Sequence, residues 1–301
     1  MTANPDALRE ALMTGLQSTL DEVLPWFREQ MPPAYFADTS ERERMAHILA
    51  VVTARAVGQP PRLTLRNEDG SRWTVISDRD SPGMLSEILA QLPRDAPLRL
   101  VKVHTSRDGR LAVDTVVLGE AERFDASDPV LAERREAALA YAREAGADVA
   151  LVDRFLRGAA AEFVRAATPL RVVRSTDHYA AVTGTDDTVV FLEHEADPAL
   201  SRVVVVMGNA NPRRASERCA AALGAQSINI LRAYVDVAND GANGSVTTLT
   251  YIVRAPDGRG LDPTGELWRR VSGELARMKW VTEAAVSLER REPELGSPAA
   301  R

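Results

Sequence analysis

Apolar and polar positions along this chain fall into an order that occurs twice. In the first copy a polar start, Asp38–Thr39–Ser40 followed by Glu41–Arg42–Glu43–Arg44, leads into apolar residues at Met45, Ile48, Leu49 and Val52, a helical spacing. A hydroxyl cap with Glu close behind satisfies orphan backbone donors and suits the helix dipole. At the matching place in the second copy stands Thr168–Pro169, a cap followed by Pro at the first helical position. Each helix carries one histidine, His47 and His178. Alternating runs follow. Arg62–Leu65 and Arg72–Ser77 flank Asn67–Glu68–Asp69–Gly70, and an Asp-Gly between apolar runs is a hairpin signal. In the second copy Thr188–Glu193 and Arg202–Met207 flank a longer polar link.

A loop and a short amphipathic helix come next in each copy. The first has Asp80–Ser81–Pro82–Gly83 and then Met84, Leu85, Ile88, Leu89 and Leu92 on one face. The second has Asn209–Ala210–Asn211–Pro212 and then Ala215, Cys219, Ala220 and Leu223, with Pro82 and Pro212 standing 130 residues apart. The strands after these helices share an irregularity. Leu98 and Leu100 alternate and then the phase slips to Val101, Val103 and Thr105; Ile228 and Ile230 alternate and then slip to Leu231, Ala233 and Val235. One extra residue in a β-bulge flips the side-chain face in this way. A turn (Arg107–Asp108–Gly109, and Asp240 to Gly244) leads to a third strand, Leu111–Leu118 or Val246–Val253. A helix opened by Asp128–Pro129 or Asp262–Pro263 ends the shared pattern.

Val281–Leu288 reads as a closing strand of the second copy; Ala147–Leu151 is a weak counterpart in the first, or part of the helix running to Arg165. Ahead of both copies, Leu8, Leu12, Leu16, Leu20 and Leu24 mark a separate amphipathic helix. The expected division is residues 1–31 for that helix, 32–150 for the first copy with its leading helix, 151–290 for connecting helices and the second copy, and 291–301 for a flexible tail rich in Pro, Gly, Ala and charge. The fold class is α+β: two ferredoxin-like βαββαβ units, each preceded by helices and an extra strand.

The local sequence carries a resemblance. Asp80–Ser81–Pro82–Gly83–Met84–Leu85, then Lys102–Val103–His104–Thr105–Ser106–Arg107–Asp108–Gly109 and Val113–Asp114–Thr115–Val116, resembles an ACT domain, a small regulatory module that usually binds amino acids. The resemblance implies that the loop after the first strand approaches the ligand, so Asp80, Ser81, Pro82, Gly83 and Met84, with Asn209, Ala210 and Asn211 in the second copy, are the candidate ligand-binding residues. Gly83 suits a close backbone approach, and a helix N-terminus presents free N–H groups to a carboxylate. The second loop lacks the glycine after Pro212. A wider set is similar to the N-terminal part of the large bacterial NAD-dependent glutamate dehydrogenases: Met31–Pro32–Pro33–Ala34–Tyr35–Phe36, Thr39–Ser40, His47, Leu63–Thr64–Leu65–Arg66, Phe155–Leu156–Arg157, His178–Tyr179, Arg232–Ala233–Tyr234 and Trp268–Arg269–Arg270. It runs from about Trp26 to Leu288. A similar helix before an ACT domain occurs in bacterial nitrogen-sensing uridylyltransferases. The dehydrogenases place catalysis in a long downstream region with a nucleotide-binding fold, which is absent here. The resemblance therefore implies the regulatory part alone, as a separate gene product, a truncation or a divergent paralogue, with no cofactor in this chain and NAD only through the absent catalytic region.

Composition narrows the classes. With 301 residues and 45% apolar content there is material for two cores, and a net charge of −6 argues against a nucleic-acid partner. One cysteine, Cys219, allows neither an internal disulfide nor a Cys-based metal site. The N-terminus has no basic, apolar signal-peptide pattern, and no apolar run nears the ~18 residues of a membrane span, so a cytoplasmic chain without a membrane partner is expected.

No site for chemistry stands out. Gly258–Arg259–Gly260–Leu261–Asp262–Pro263 has Pro where a dinucleotide fingerprint needs its third glycine and reads as a turn; Walker loops and Gly-x-Ser-x-Gly elbows are absent. His47, His104, His178 and His194 have no metal-type spacing, and His104 reads as a half-buried strand residue. Cys219 reads as a core thiol, Lys102 as solvated or paired with a carboxylate, Asp114 as solvent-facing, Glu133–Arg134–Arg135–Glu136 as a solvated helix face, and Trp268 and Trp280 as core or interface packing. The leading expectation is a non-catalytic, amino-acid-sensing segment related to NAD-dependent glutamate dehydrogenase. Its partners would be an amino-acid effector and either further copies of the chain or the catalytic region. The alternatives are a scaffold of ACT-like units with no ligand and, last, an enzyme on a ferredoxin-like frame.

Overall fold

The computed structural model describes residues 5–93, 96–239, 241 and 244–281. Among these the chain divides into two compact units: residues up to Ser81 with Lys102–Val116, and Pro82–Val101 with the residues from Val117 onward. The strands β1 (Arg62–Arg66), β2 (Arg72–Ser77), β3 (Leu98–Thr105) and β4 (Ala112–Leu118) form a four-stranded sheet in the order β1-β2-β4-β3. The strands β5 (Thr188–His194), β6 (Ser201–Gly208), β7 (Asn229–Asn239) and β8 (Ser245–Arg254) form a second in the order β5-β6-β8-β7. The shared order is the ACT-like plan expected from the repeat, each copy preceded by helices and an extra strand. That extra strand, β1 or β5, takes the edge beside β2 or β6. The phase slip of the second copy is a register shift between Ile230 and Arg232 where β7 pairs with β8. The expected closing strand Val281–Leu288 lies outside the described residues beyond Val281.

In the first unit α1 (Pro5–Gln30), α2 (Pro33–Asp38) and α3 (Glu41–Ala56) lead into the strands. Val23, Phe27, Met31 and Tyr35 are buried with Val51, Val52, Ile76, Leu111 and Val113. On α1 Val23 and Phe27 are buried and Leu16 and Leu20 are partly buried against the same core, while Leu24 is exposed. A row of every fourth residue turns about 40° per step away from one face at 3.6 residues per turn, so the leucine row expected from the sequence drifts off the core. The face of α3 also differs from expectation. Met45 and Leu49 are exposed, and His47, Val51 and Val52 are buried. A buried polar ring needs a partner, and the Tyr35 hydroxyl lies 2.9 Å from His47 Nδ1. Ser40 and Glu43 close a reciprocal capping box at the start of α3.

The second unit contains α4 (Met84–Gln91), α5 (Pro129–Glu144), α6 (Val149–Gly158), α7 (Ala161–Ala166), α8 (Pro169–Ala180), α9 (Pro212–Ala225) and α10 (Glu266–Leu275). Asp128 caps α5, and Asp148 caps α6, so Ala147–Leu151 belongs to a helix start. Asp262–Pro263 does not open α10, which begins three residues later. Asp262 Oδ1 instead accepts from the backbone N–H and the hydroxyl of Thr264, a local turn that competes with the helix. One face of the second sheet presents Val203, Val205, Ala233, Val235, Leu249 and Tyr251, all buried, and α9 packs on β7. On the other face Val204, Val206, Ala238 and Val246 pack into a core with α5 to α8.

Candidate functional site

The loops singled out by the sequence sit at the ends of an antiparallel helix pair within the second unit. Gly83, at φ +90°, caps α4, and a Cβ on Gly224 near the end of α9 would stand 2.6 Å from Gly83 Cα. At the other end Arg213 donates to the carbonyls of Leu89, Leu92 and Pro93, closing the C-terminus of α4. Gly83 thus meets helix backbone, and Met84 is the first residue of α4. Asp80 accepts a 2.8 Å hydrogen bond from the Thr105 hydroxyl in the first unit. Ser81 and Pro82 are exposed where the chain leaves β2 for α4. In the second copy Asn209 adopts a left-handed conformation (φ +50°), accepts from Ser245 N–H and donates to Asp186. The Ala210 carbonyl accepts from Thr247, and Asn211 caps α9 through Arg214 N–H. The polar groups of this second loop are engaged within the fold.

A different place gathers polar and charged groups. A groove of about 320 Å³ runs between α8 and the second sheet, on the face opposite α9. Strand pairing builds its floor in rows. Glu193 pairs with Arg202, Arg202 with Ile252, and Ile252 with Arg232. The next row runs Phe191, Val204, Thr250 and Tyr234, and the third Val189, Val206, Thr248 and Asp236. Arg232, Tyr234 and Asp236 share a face because alternate strand residues point the same way. The wall comes from α8, whose Arg171, Arg174, Ser175 and His178 recur at helical spacing toward the strands. The volume is at the lower end for a small-molecule site.

The charges here are nearly matched. Asp236 pairs with Arg171 at 3.2 Å, and Glu195 with Arg202 at 2.6 Å. Glu193 accepts from His178 Nε2 at 3.0 Å and lies 3.4 Å from Arg174. The His178 hydrogen bond holds Glu193 below the usual carboxylate range, although partial burial opposes it. Burial pushes Asp236 above that range, with the Arg171 pair offsetting only part. Arg232 lines the groove with no ion pair or hydrogen bond among the described residues. Four guanidinium groups line the groove; three of them pair with Asp236, Glu193 and, beyond the lining, Glu195, and Arg232 is the unmatched charge.

The first copy has the same face in a different condition. Lys102 and His104 stand 130 residues before Arg232 and Tyr234. Asp38, at the end of α2, sets its carboxylate 3.2 Å from Lys102 Nζ and 3.5 Å from His104 Nε2. Lys102 is therefore paired, and His104, expected half-buried, is fully buried with its ring edge-on to Tyr35 at 5.6 Å. Asp114, expected to face solvent, is buried, and desolvation with Asp80 nearby pushes its carboxyl well up. Cys219 is a buried thiol, pushed up by burial. Trp280 is exposed, so it is not a core residue.

Sequence reasoning missed the groove because its residues come from α8 and four strands. One signal was available: Arg232-x-Tyr234-x-Asp236 places three polar side chains on one face of a strand whose other face is apolar. Among the described residues no group of three or more His, Cys, Asp or Glu is placed to hold a metal ion, and no helix is long and apolar enough to cross a membrane. No protein-family model matches the chain, and no curated protein is significantly similar to it.

Proposed function

We propose that this chain is a non-catalytic regulatory segment that senses a free amino acid, of the kind that accompanies the catalytic region of large bacterial NAD-dependent glutamate dehydrogenases, and that the effector sits in the groove between α8 and the second sheet. The observation that carries the reading is the groove's pair of opposite handles. An amino acid brings carboxylate and ammonium charge; Arg232 is an unpaired cation open to a carboxylate, and Glu193 and Asp236 are lining carboxylates that an ammonium group can approach. The repeated ACT-like sheets support the module class. On this reading NAD belongs to the catalytic region, and the partners are that region or another copy of the chain. The effector acts by binding one arrangement of the chain more tightly than another.

Thermal unfolding of the purified chain against the twenty amino acids and NAD tests it. A ligand that binds only the folded state adds RT ln(1 + [L]/Kd), about 2.7 kcal/mol at a hundredfold excess over Kd. A shift with one or a few amino acids that weakens in Arg232→Gln supports the reading. One observation favours a scaffold without ligand instead: the second loop spends its polar groups internally. A flat panel at saturating concentrations decides for that alternative.

A further inference from the structure

The two copies offer the same strand face in a filled and an open form, and the filling is a carboxylate. In the first copy Asp38 seats on Lys102 and His104. In the second, Arg232 and Tyr234 stand at the corresponding positions and line the groove. The first copy thus places a carboxylate of its own chain on Lys102, and none of the second copy's ion pairs does the same for Arg232.

We propose that the groove is selective for an acidic amino acid, whose second carboxylate sits on Arg232 as Asp38 sits on Lys102. This rests on the groove being the effector site and goes further by fixing the ligand's charge. A neutral zwitterion leaves the lining with one unmatched positive charge, because Arg171, Arg174 and Arg202 already have Asp236, Glu193 and Glu195 as partners. A ligand with one extra negative charge closes the count. The planar guanidinium of Arg232 suits bidentate capture of a carboxylate, and the hydroxyls of Ser175, Thr248 and Thr250 line the groove to accept or donate around it. The side-chain amide analogues have the same shape without the charge. They would leave the cation unmatched in a partly desolvated groove.

The test compares isosteres on the full chain, by calorimetry and thermal shift: glutamate against glutamine, and aspartate against asparagine. Tighter binding of the acid by about tenfold or more, abolished in Arg232→Gln, is the expected result. Equal binding of acid and amide overturns the acidic selectivity and leaves the amino-acid sensor standing. A preference that survives in Arg232→Gln overturns the placement on Arg232. Absence of binding by any amino acid overturns both this inference and the sensor reading. Glutarate, which keeps both carboxylates and lacks the ammonium, should bind more weakly than glutamate; equal affinity overturns amino-acid recognition and makes the groove a dicarboxylate site. Circular dichroism of Arg232→Gln confirms that a loss of binding is not a loss of fold.

Discussion

The first sheet's α3-side face is closed by its own N-terminal helices, and the second sheet's α8-side face is left open over part of its length. In the first copy Tyr35 is completely buried and Asp38 neutralises Lys102. In the second, α8 lies over the strands with a row of arginines and leaves a groove. One plan has thus been completed in two ways, one copy satisfying its polar strand face from within and the other leaving a cation unmatched. On the proposed reading, this difference separates a structural copy from a receptive one more sharply than the loops do.

Acid should break the comparison most strongly. The matching helices α3 and α8 each carry one histidine, but burial pushes His47 down to about 4, whereas His178 is paired with Glu193. The unfolded chain takes up a proton near pH 6.5 and the folded first unit near 4, so between those values the unfolded state binds more protons. Stability from neutral His47 is therefore full above about pH 6.5 and is lost as pH falls toward 4, by about 3 kcal/mol at most. Glu193 acts in a lower window, its stabilisation being lost as pH falls below the usual glutamate value. Urea unfolding at pH 7 and pH 4.5, read by Trp26 and Trp73 with Trp268 and Trp280 replaced by Phe, should show the first unit weakening. His47→Gln, which keeps an acceptor for Tyr35, should flatten the slope; an unchanged slope would remove His47 as its source.

The two faces should also answer differently to loss of charge. Asp38→Ala leaves Lys102 and buried His104 without their carboxylate, at a cost of about 1–3 kcal/mol. Arg232→Gln removes a cation that has no partner and should change the stability of the ligand-free chain by less than about 0.5 kcal/mol, as partner-free surface changes do. Chemical denaturation of both variants reads this contrast directly. Equal costs would mean that Arg232 is held by the fold and is not free to meet a ligand.

How much of this could be read from the sequence follows from what each residue needs. Alternation and helical spacing, set by burial of neighbouring positions, made the strands and the repeat legible. Caps such as Ser40, Thr168 and Asp128 worked because their chemistry is local. Asp262–Pro263 misled because a competing turn is equally local. Met45 and Leu49 misled because the buried face of α3 is set by partners distant in sequence: Val51 and Val52 share a core with Phe27 and Ile76, and Tyr35 meets His47. The groove was illegible for the same reason on a larger scale: Arg171 and Asp236 are neighbours only after the sheet has formed.

The helix pair extends the comparison to Pro82–Gly83 and Pro212–Arg213. Gly224→Ala would drive a methyl group into the backbone of Gly83, which cannot rotate away, so α4 and α9 must separate. The expected cost is about 2 kcal/mol, within the range for overpacking. Gly83→Ala meets no neighbouring atom but would force a side chain to φ +90°, costing about 1–2 kcal/mol through strain alone. The double variant separates the two mechanisms: once the helices have parted, strain at residue 83 should relax, and the costs should sum to less than their separate values. Full additivity would show that the close approach does not hold Gly83 in its conformation.

The smallest contrast lies in the caps of the matched helices α3 and α8. Ser40 accepts from Glu43 N–H while Glu43 accepts from Ser40 N–H, and Glu43 also pairs with Arg72 at 2.6 Å. Thr168 makes a single bond, accepting from Arg171 N–H at 3.3 Å, and Pro169 already supplies a preset first turn. Ser40→Ala should therefore cost about 1 kcal/mol and Thr168→Ala about half that. The consequences for binding should be reversed. Thr168 borders the groove, and Arg171, which its cap positions, holds Asp236, so fraying the start of α8 should weaken any amino-acid shift; Ser40→Ala should leave that shift intact. Denaturant midpoints give the first ordering and ligand-induced thermal shifts the second. If Ser40→Ala weakened binding while Thr168→Ala did not, the effector would belong to the first copy, and the assignment of a structural and a receptive face would have to be exchanged.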